Sequence, residues 1–269
     1  MGNKIIKILQ NIFIEEKVRG QNVNDNDLLL IHREILKKKP MLRSAFMYFY
    51  REMLNNSTAA KENEIDIELG SGAGFFKDIH PKIKTSDIRK SPNFDLEVNA
   101  LDMPFDNNAV KNIYAINVFH HLSDPTKFLN ECYRVLADDG RVILVEPHNG
   151  FFSSFIHKKL HKDEFFDTAV NDWKNNLIKG PLSGANQAMS HIVFTRDLDR
   201  FNKIFENKLG LSKKIYMHNW LRYLFSGGVN FKQTLPNFMI PIFTLIEKIL
   251  NPFAKHLSLH QMIVIKKLN

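Results

Sequence analysis

Behind the acid of Glu68 the chain sets glycines at alternate positions, Gly70-Ser71-Gly72-Ala73-Gly74. Glycine takes positive φ freely and carries no side chain, so such a turn lets a ligand come close to the backbone. Three ligand chemistries compete for it. A phosphate loop would need Gly-Lys followed by Ser or Thr, which is absent. A dinucleotide turn would need a small third residue where Phe75 stands, and that ring would hinder a pyrophosphate. The third reading, Glu-x-Gly-x-Gly-x-Gly, depends on the residues that follow it in order. A second chemical group is the pair His120-His121. Imidazole is the usual base near neutral pH, and Glu146 is a carboxylate that could orient one ring or act as a second acid. The sequence does not choose between the two histidines.

Short apolar runs must carry these residues. Ile65 to Leu69 reads as a strand, followed by the glycine turn and a short helix that Pro81 ends. Lys84 to Ile88 reads as a second strand. A third lies within Val110 to Val118, around Ile113-Tyr114-Ala115-Ile116. Asp124 caps a helix whose apolar residues run to Leu136, and Arg141 to Glu146 is a buried strand. Strands alternating with helices imply parallel pairing through right-handed crossovers, an α/β doubly wound sheet. The first 60 residues read as helices. Ile5, Ile8, Leu9, Ile12 and Phe13 share one face, and Leu28, Ile31 and Ile35 another, with Asp25 or Asp27 as N-cap. After Pro147 the alternation lapses. Residues 149–195 show no clear strand, 197–209 read as a helix, and 213–217 and 261–265 as strands. Four parts follow: a helical N-terminal extension (1–60), a ligand-binding core (61–148), a helical lid and acceptor-binding insertion (149–195), and a C-terminal part (196–269) with an apolar helical insertion at about 219–258.

Composition is that of a globular protein with a sizeable core: 269 residues, 44% hydrophobic and 25% charged. The single cysteine, Cys132, excludes an internal disulfide framework and a multi-cysteine metal site; it fits a reducing, cytoplasmic setting and a small core residue. The net charge of +8 suits an acidic partner. The Lys37-Lys38-Lys39 and Lys213-Lys214 clusters are nevertheless too short for an interaction tail. Met1 to Phe13 does not read as a signal peptide, because Lys4 and Lys7 interrupt it and no small-residue cleavage site follows. No apolar span reaches the 18 or so residues needed to cross a bilayer.

In order along the chain, Glu68-x-Gly70-x-Gly72-x-Gly74, the Asp87 that ends the second strand, Asn99-Ala100-Leu101-Asp102-Met103-Pro104-Phe105, Asn117-Val118-Phe119-His120-His121-Leu122 and Glu131-Cys132-Tyr133-Arg134-Val135-Leu136-Ala137-Asp138-Asp139-Gly140 resemble the successive motifs of class I S-adenosylmethionine-dependent methyltransferases, small-molecule type. The resemblance is strong over about 64–148. It implies a Rossmann-like sheet of seven strands, mostly parallel, with the last, 261–265, antiparallel. It implies S-adenosyl-L-methionine as cofactor. Glu68, Gly70, Ser71, Gly72 and Gly74 would then meet the amino acid tail, Asp87 and Ile88 the ribose, and Asn99 and Ala100 the adenine, with Asn117 beside them. Asn99 stands where the family has Asp, but an amide can still accept a hydrogen bond from the adenine amino group, with the nearby Asp102 as the alternative partner.

The expected reaction is methyl transfer to a small-molecule, sugar or lipid-linked acceptor at oxygen, with His120 or His121 as base and Glu146 behind it. Asn117-Val118-Phe119-His120 departs from the Asn/Asp-Pro-Pro-Tyr of nucleobase amino methylases, and no RNA-binding module is visible, so nucleic acid is not the expected partner. An RNA methylase and a non-catalytic scaffold are the rival readings. His157, His161, Glu164 and Trp173 are lid candidates for the acceptor pocket, with the loop Gly180 to Gln187 closing over it. No metal is expected from them. Pro236 to Phe253 reads first as a helix covering the sheet or the acceptor site, and second as a segment lying peripherally on a membrane. Oligomeric state is not legible.

Overall fold

Valine- and isoleucine-rich runs form the centre of one sheet. The computed structural model describes residues 12–160, 164–178, 180 and 182–268, with backbone alone at 158–160. Its strands are β1 (Ile65–Leu69), β2 (Lys84–Asp87), β3 (Leu96–Glu97), β4 (Val110–Ile116), β5 (Leu136–Pro147), β6 (Leu209–Tyr216) and β7 (His260–Lys267), in the order β3-β2-β1-β4-β5-β7-β6. The pairs from β3 to β5 are parallel, and β7 runs antiparallel to both β5 and β6. This is the expected doubly wound sheet of seven strands. The flanking helices are α1 (Asp27–Lys38), α2 (Pro40–Asn55), α3 (Pro125–Val135), α4 (Phe151–Leu160), α5 (Met189–His191), α6 (Leu198–Ile204), α7 (Trp220–Ser226), α8 (Met239–Ile249) and α9 (Ala254–Leu257).

Side chains alternate across a strand, so each central strand feeds two cores. Ile113, Ala115, Val142, Leu144, Ile263 and Ile265 pack on one face beneath Phe128, Leu129, Cys132 and Val135 of α3. Tyr114, Ile143, Val145, Met262 and Val264 pack on the other beneath Phe49, Tyr50 and Met53 of α2. Burial on both faces explains why β4 and β5 read as continuous apolar runs rather than as alternation. Asp124 caps α3 as expected: its carboxylate accepts the Lys127 amide at 2.9 Å, and Pro125 takes the first turn, where no amide donor is needed.

Several expectations change. Between β1 and β2 the chain makes a single 3-10 turn, Phe76–Asp78, in place of the expected short helix running to Pro81. The face left bare is covered by α2: Tyr50 stacks on Phe76 at 4.3 Å between ring centroids, and Phe76 meets Tyr114 edge-on at 5.0 Å. Neither Asp25 nor Asp27 caps α1. Asn26 holds the cap position without a side-chain bond, while Asp25 accepts the Asp27 amide in a local turn. The 197–209 helix ends at Ile204 because Leu209 already belongs to β6. Residues 151–160, within the lid expected to be helical, form α4.

The insertion does not cover the sheet. In α8 only Phe243 and Glu247 are buried, while Ile242, Leu245, Ile246 and Ile249 face outward. Glu247 instead anchors the helix. It accepts the Arg222 amide at 2.9 Å and the Arg222 Nε at 2.6 Å, and Arg222 reaches on to Ser44 Oγ at 2.9 Å in α2. Among the described residues no helix is long and apolar enough to cross a membrane. The Ile5-Ile8-Leu9 face and His161 lie outside the described residues.

Candidate functional site

Three glycines build the turn after β1, each for its own reason. A Cβ at Gly70 would collide with Val118. One at Gly74 would lie 2.7 Å from the Ser71 carbonyl oxygen and against the Tyr50 hydroxyl. Gly72 has φ +49°, and a Cβ there would find nothing nearer than the Gly70 oxygen at 3.7 Å, so its outer side is open. Ser71 pins the turn to β2. Its hydroxyl donates to the Glu68 carbonyl and accepts the Ser86 amide at 3.1 Å, and its amide donates to the Ser86 carbonyl at 2.7 Å.

Glu68 is buried at the root of the turn, and its Oε2 has no hydrogen-bond partner among the described residues. Desolvation pushes its pKa up to about 8, against the lowering effect of hydrogen bonds from Ser71 and Tyr50; the nearby Asp87 charge adds to the rise. A buried carboxyl with a free oxygen and little solvent is poised for a cation. Asp87, at the end of β2, spans two partners. One oxygen accepts the Arg89 amide and Nε, both at 3.0 Å; the other accepts the Gly72 amide at 3.3 Å and Arg89 Nη2 at 3.4 Å. Arg89 went unnoticed in the sequence because nothing in its spacing marks it.

The ends of β4 and β5 carry the second group. Asn117 sits at φ +55°, a conformation asparagine tolerates better than most residues, and its buried Oδ1 lacks a hydrogen-bond partner among the described residues. Glu146, fully buried, accepts the Val118 and Phe119 amides at 2.9 and 2.8 Å on one oxygen. Its other oxygen takes the His120 amide at 3.3 Å and lies 2.6 Å from His120 Nδ1. It thus holds the whole turn Phe119–His121. Burial alone would lower the His120 pKa, but the Glu146 charge and hydrogen bond, with Glu164, outweigh it and the net shift is upward. Glu164 approaches from the far side, 3.7 Å from His120 Nε2 and 3.5 Å from His121 Nε2, and accepts a hydrogen bond from Gln187 Nε2.

A cavity of about 440 Å³ has Gly70, Gly72, Arg89, Asn117, His120, His121 and Glu164 on its wall, with Glu146 behind the histidines. That volume lies in the range of small-molecule sites. The lid candidates divide. His157 lines the cavity and donates to the Leu259 carbonyl at 3.2 Å. Trp173 is core instead, 1% exposed, with its indole donating to Asp197 at 2.9 Å. Much of the opposite wall comes from the N-terminal extension, through Ile14, Val18, Leu28 and His32. Asn24 ties that wall to the 180–187 loop, accepting the Leu182 amide and donating to Ser183 Oγ, each at 3.1 Å. Of the expected cofactor contacts, Glu68, Ser71, Gly74, Asp87, Ile88, Asn99 and Ala100 stand outside the cavity wall. Asn99 Oδ1 accepts the Leu101 amide at 3.0 Å, Ala100 is buried in the core, and Ile88 is 53% exposed.

Residues 68–144 match the methyltransferase domain family. No curated protein matches the chain. Among solved structures, a chain of the complex between the Haloferax volcanii Trm112 methyltransferase activator and a methyltransferase is 12% identical, covering 91% of this chain and 97% of that chain with a TM-score of 0.50. Geranyl diphosphate C-methyltransferase from Streptomyces coelicolor A3(2), solved with Mg2+, geranyl diphosphate and S-adenosyl-L-homocysteine, is 12% identical over 82% of this chain and 77% of that chain, at a TM-score of 0.46. At 12% identity the likeness to the first of these is one of fold alone. The family match, by contrast, spans the glycine turn, Asp87, Asn117 and the histidine pair, so over residues 68–144 the chain is similar to the methyltransferase domain in its motifs as well as its fold.

Proposed function

We propose that the protein transfers the methyl group of S-adenosyl-L-methionine to an oxygen of a small or lipid-linked acceptor held in the 440 Å³ cavity. The observation that carries this reading is the His120–Glu146 pair and His121, set on the same cavity wall as Gly70 and Gly72. The residues fit the cofactor: the unpartnered Glu68 oxygen suits an ammonium group, the open side of Gly72 suits close contact with its tail, and the free Asn117 Oδ1 can accept a further donor. When bound, the cofactor supplies an electrophilic methyl group on a sulfonium. For a ribose diol to reach Asp87, the Arg89 guanidinium must turn away from it. Asn99 and Ala100 are the proposed adenine contacts, and Ile88 flanks the ribose.

Glu146 fixes one imidazole edge of His120, so its Nε2 is the edge left for an acceptor hydroxyl. A base held in place this way needs no reorganisation as the proton leaves. The acceptor is proposed to be lipid-linked because an apolar surface adjoins the site. Phe151 and Phe155 stand out from α4, the helix that carries His157, and α9 packs against it. Phe253, Ile249, Leu245 and Phe238 continue the exposed surface along α8. Lys248 and Lys255 are exposed on these segments, and the sole acid between Met217 and His260 is the buried Glu247. Apolar side chains among lysines without exposed carboxylates suit an anionic membrane surface.

Calorimetry with S-adenosylhomocysteine tests the reading at its base. Micromolar binding is expected, and no binding to folded protein would sink it. With a hydroxylated acceptor in hand, His120→Ala is expected to lower kcat by about 10²–10⁴-fold, the usual worth of a general base, while cofactor binding holds.

A further inference from the structure

The tertiary structure joins two residues from the β4 turn with one from the lid. The His120 and His121 Nε2 atoms lie 3.7 and 3.5 Å from the Glu164 carboxylate, and one donor atom from each of the three residues falls within 4.8 Å of the others. We propose that His120, His121 and Glu164 form a binding site for a divalent transition-metal ion of the Zn2+, Fe2+, Mn2+ or Co2+ class, open toward the cavity and chelated there by two oxygens of the acceptor. Two imidazoles and one carboxylate on one side of an ion are a known donor set that leaves positions open for substrate. Donors bound at about 2.0–2.2 Å stand roughly 3–3.5 Å apart, so small side-chain rotations close the site.

Three features support an ion. Nδ1 of His120 is 2.6 Å from the buried Glu146 carboxylate, which leaves Nε2 directed at the proposed ion. A carboxylate behind a ligating histidine fixes its tautomer and strengthens it as a ligand. Gln187 likewise hydrogen-bonds the Glu164 carboxylate and orients it. The donors also line the cavity rather than the outer surface, so an ion would have substrate beside it. The expectation of no metal rested on lid residues alone; the histidines that complete the set are more than forty positions from Glu164 in the chain.

This inference rests on the methyltransferase reading only for the identity of the chelating acceptor. With an ion in place the two imidazoles serve as ligands, and the ion takes over the lowering of the acceptor hydroxyl pKa. The full chain, treated with chelator and dialysed, is loaded with Zn2+, Mn2+, Co2+ or Mg2+ alone, and bound metal is measured by mass spectrometry and calorimetry. About one equivalent of Zn2+ or Co2+ is expected, with Mg2+ binding at least tenfold more weakly because nitrogen donors suit it poorly. Co2+ should give visible absorption of a nitrogen-ligated site. Glu164→Gln and His121→Gln should each weaken Zn2+ binding by at least tenfold while S-adenosylhomocysteine binding, the measure of intact folding, is retained. Failure of the folded wild type to take up Zn2+ or Co2+ overturns the site. Unchanged Zn2+ affinity in both variants overturns it equally. Cofactor binding is read separately, so loss of the metal inference and loss of the methyltransferase reading are distinguishable.

Discussion

Glu68 shows how one buried residue links binding to pH. Its carboxyl is held up to about 8 from an ordinary 4.5 because burial disfavours the charge. In the free protein at pH 7 it is therefore mostly protonated, whereas an ammonium group binds the ionised form. Binding of S-adenosylhomocysteine at pH 7 should release close to one proton, read as a difference in calorimetric heat between phosphate and Tris buffers. Affinity should rise from pH 6 to about 8 and then level, and Glu68→Gln should flatten that rise. The sign for stability is the reverse. A carboxyl with a raised folded pKa stabilises fully below the unfolded value of 4.5, and that contribution is lost as pH rises through about 8. Cofactor should offset the loss in thermal melts at pH 8. Gly72 offers a second test at this scale. Arginine there would fill the open side of the turn, so Gly72→Arg should abolish cofactor binding, with the φ of +49° adding backbone strain.

At the scale of elements, the shortened crossover between β1 and β2 is repaired from elsewhere in the chain. α2 brings Tyr50 onto Phe76 and toward the Phe75 amide, 3.4 Å from its hydroxyl, so the N-terminal extension does the covering that a crossover helix would do. Phe76→Ala should cost about 3–5 kcal/mol, the range for a buried aromatic, measured by denaturant unfolding. It should also weaken cofactor binding, because the glycine turn immediately precedes it. α8 depends on one ion pair in the same way. Glu247→Ala would leave Arg222 buried without its carboxylate and should cost about 3–5 kcal/mol. The helices were legible from periodicity and caps where each had a one-sided apolar face, as in α3. α8 was read as a covering helix, but its apolar residues point largely outward, and a hydrophobic pattern reports burial only when a partner exists to bury it.

At the scale of the whole molecule, the site and the apolar surface share α4, which carries His157 on the cavity wall and Phe151 and Phe155 outside. The intact protein should co-sediment with vesicles containing phosphatidylglycerol and much less with phosphatidylcholine alone, with binding that weakens as salt rises. Leu245→Glu with Ile249→Glu should reduce that binding by at least tenfold without changing S-adenosylhomocysteine affinity. Equal binding of wild type and variant would remove the membrane from the proposal.

The strands β1, β2, β4, β5, β6 and β7, the glycine turn and the Glu146–histidine neighbourhood were legible in the linear order. Parallel α/β pairing places successive strand ends along one edge, so motifs adjacent in the strand series become adjacent in space. The tertiary structure alone decided three things: that Arg89 occupies Asp87, that the extension walls the cavity and ties to the 180–187 loop through Asn24, and that Glu164 meets both histidines. Those contacts join side chains whose separation in the chain follows no local period. They depend on how the lid and the extension pack over the sheet, which no local pattern encodes.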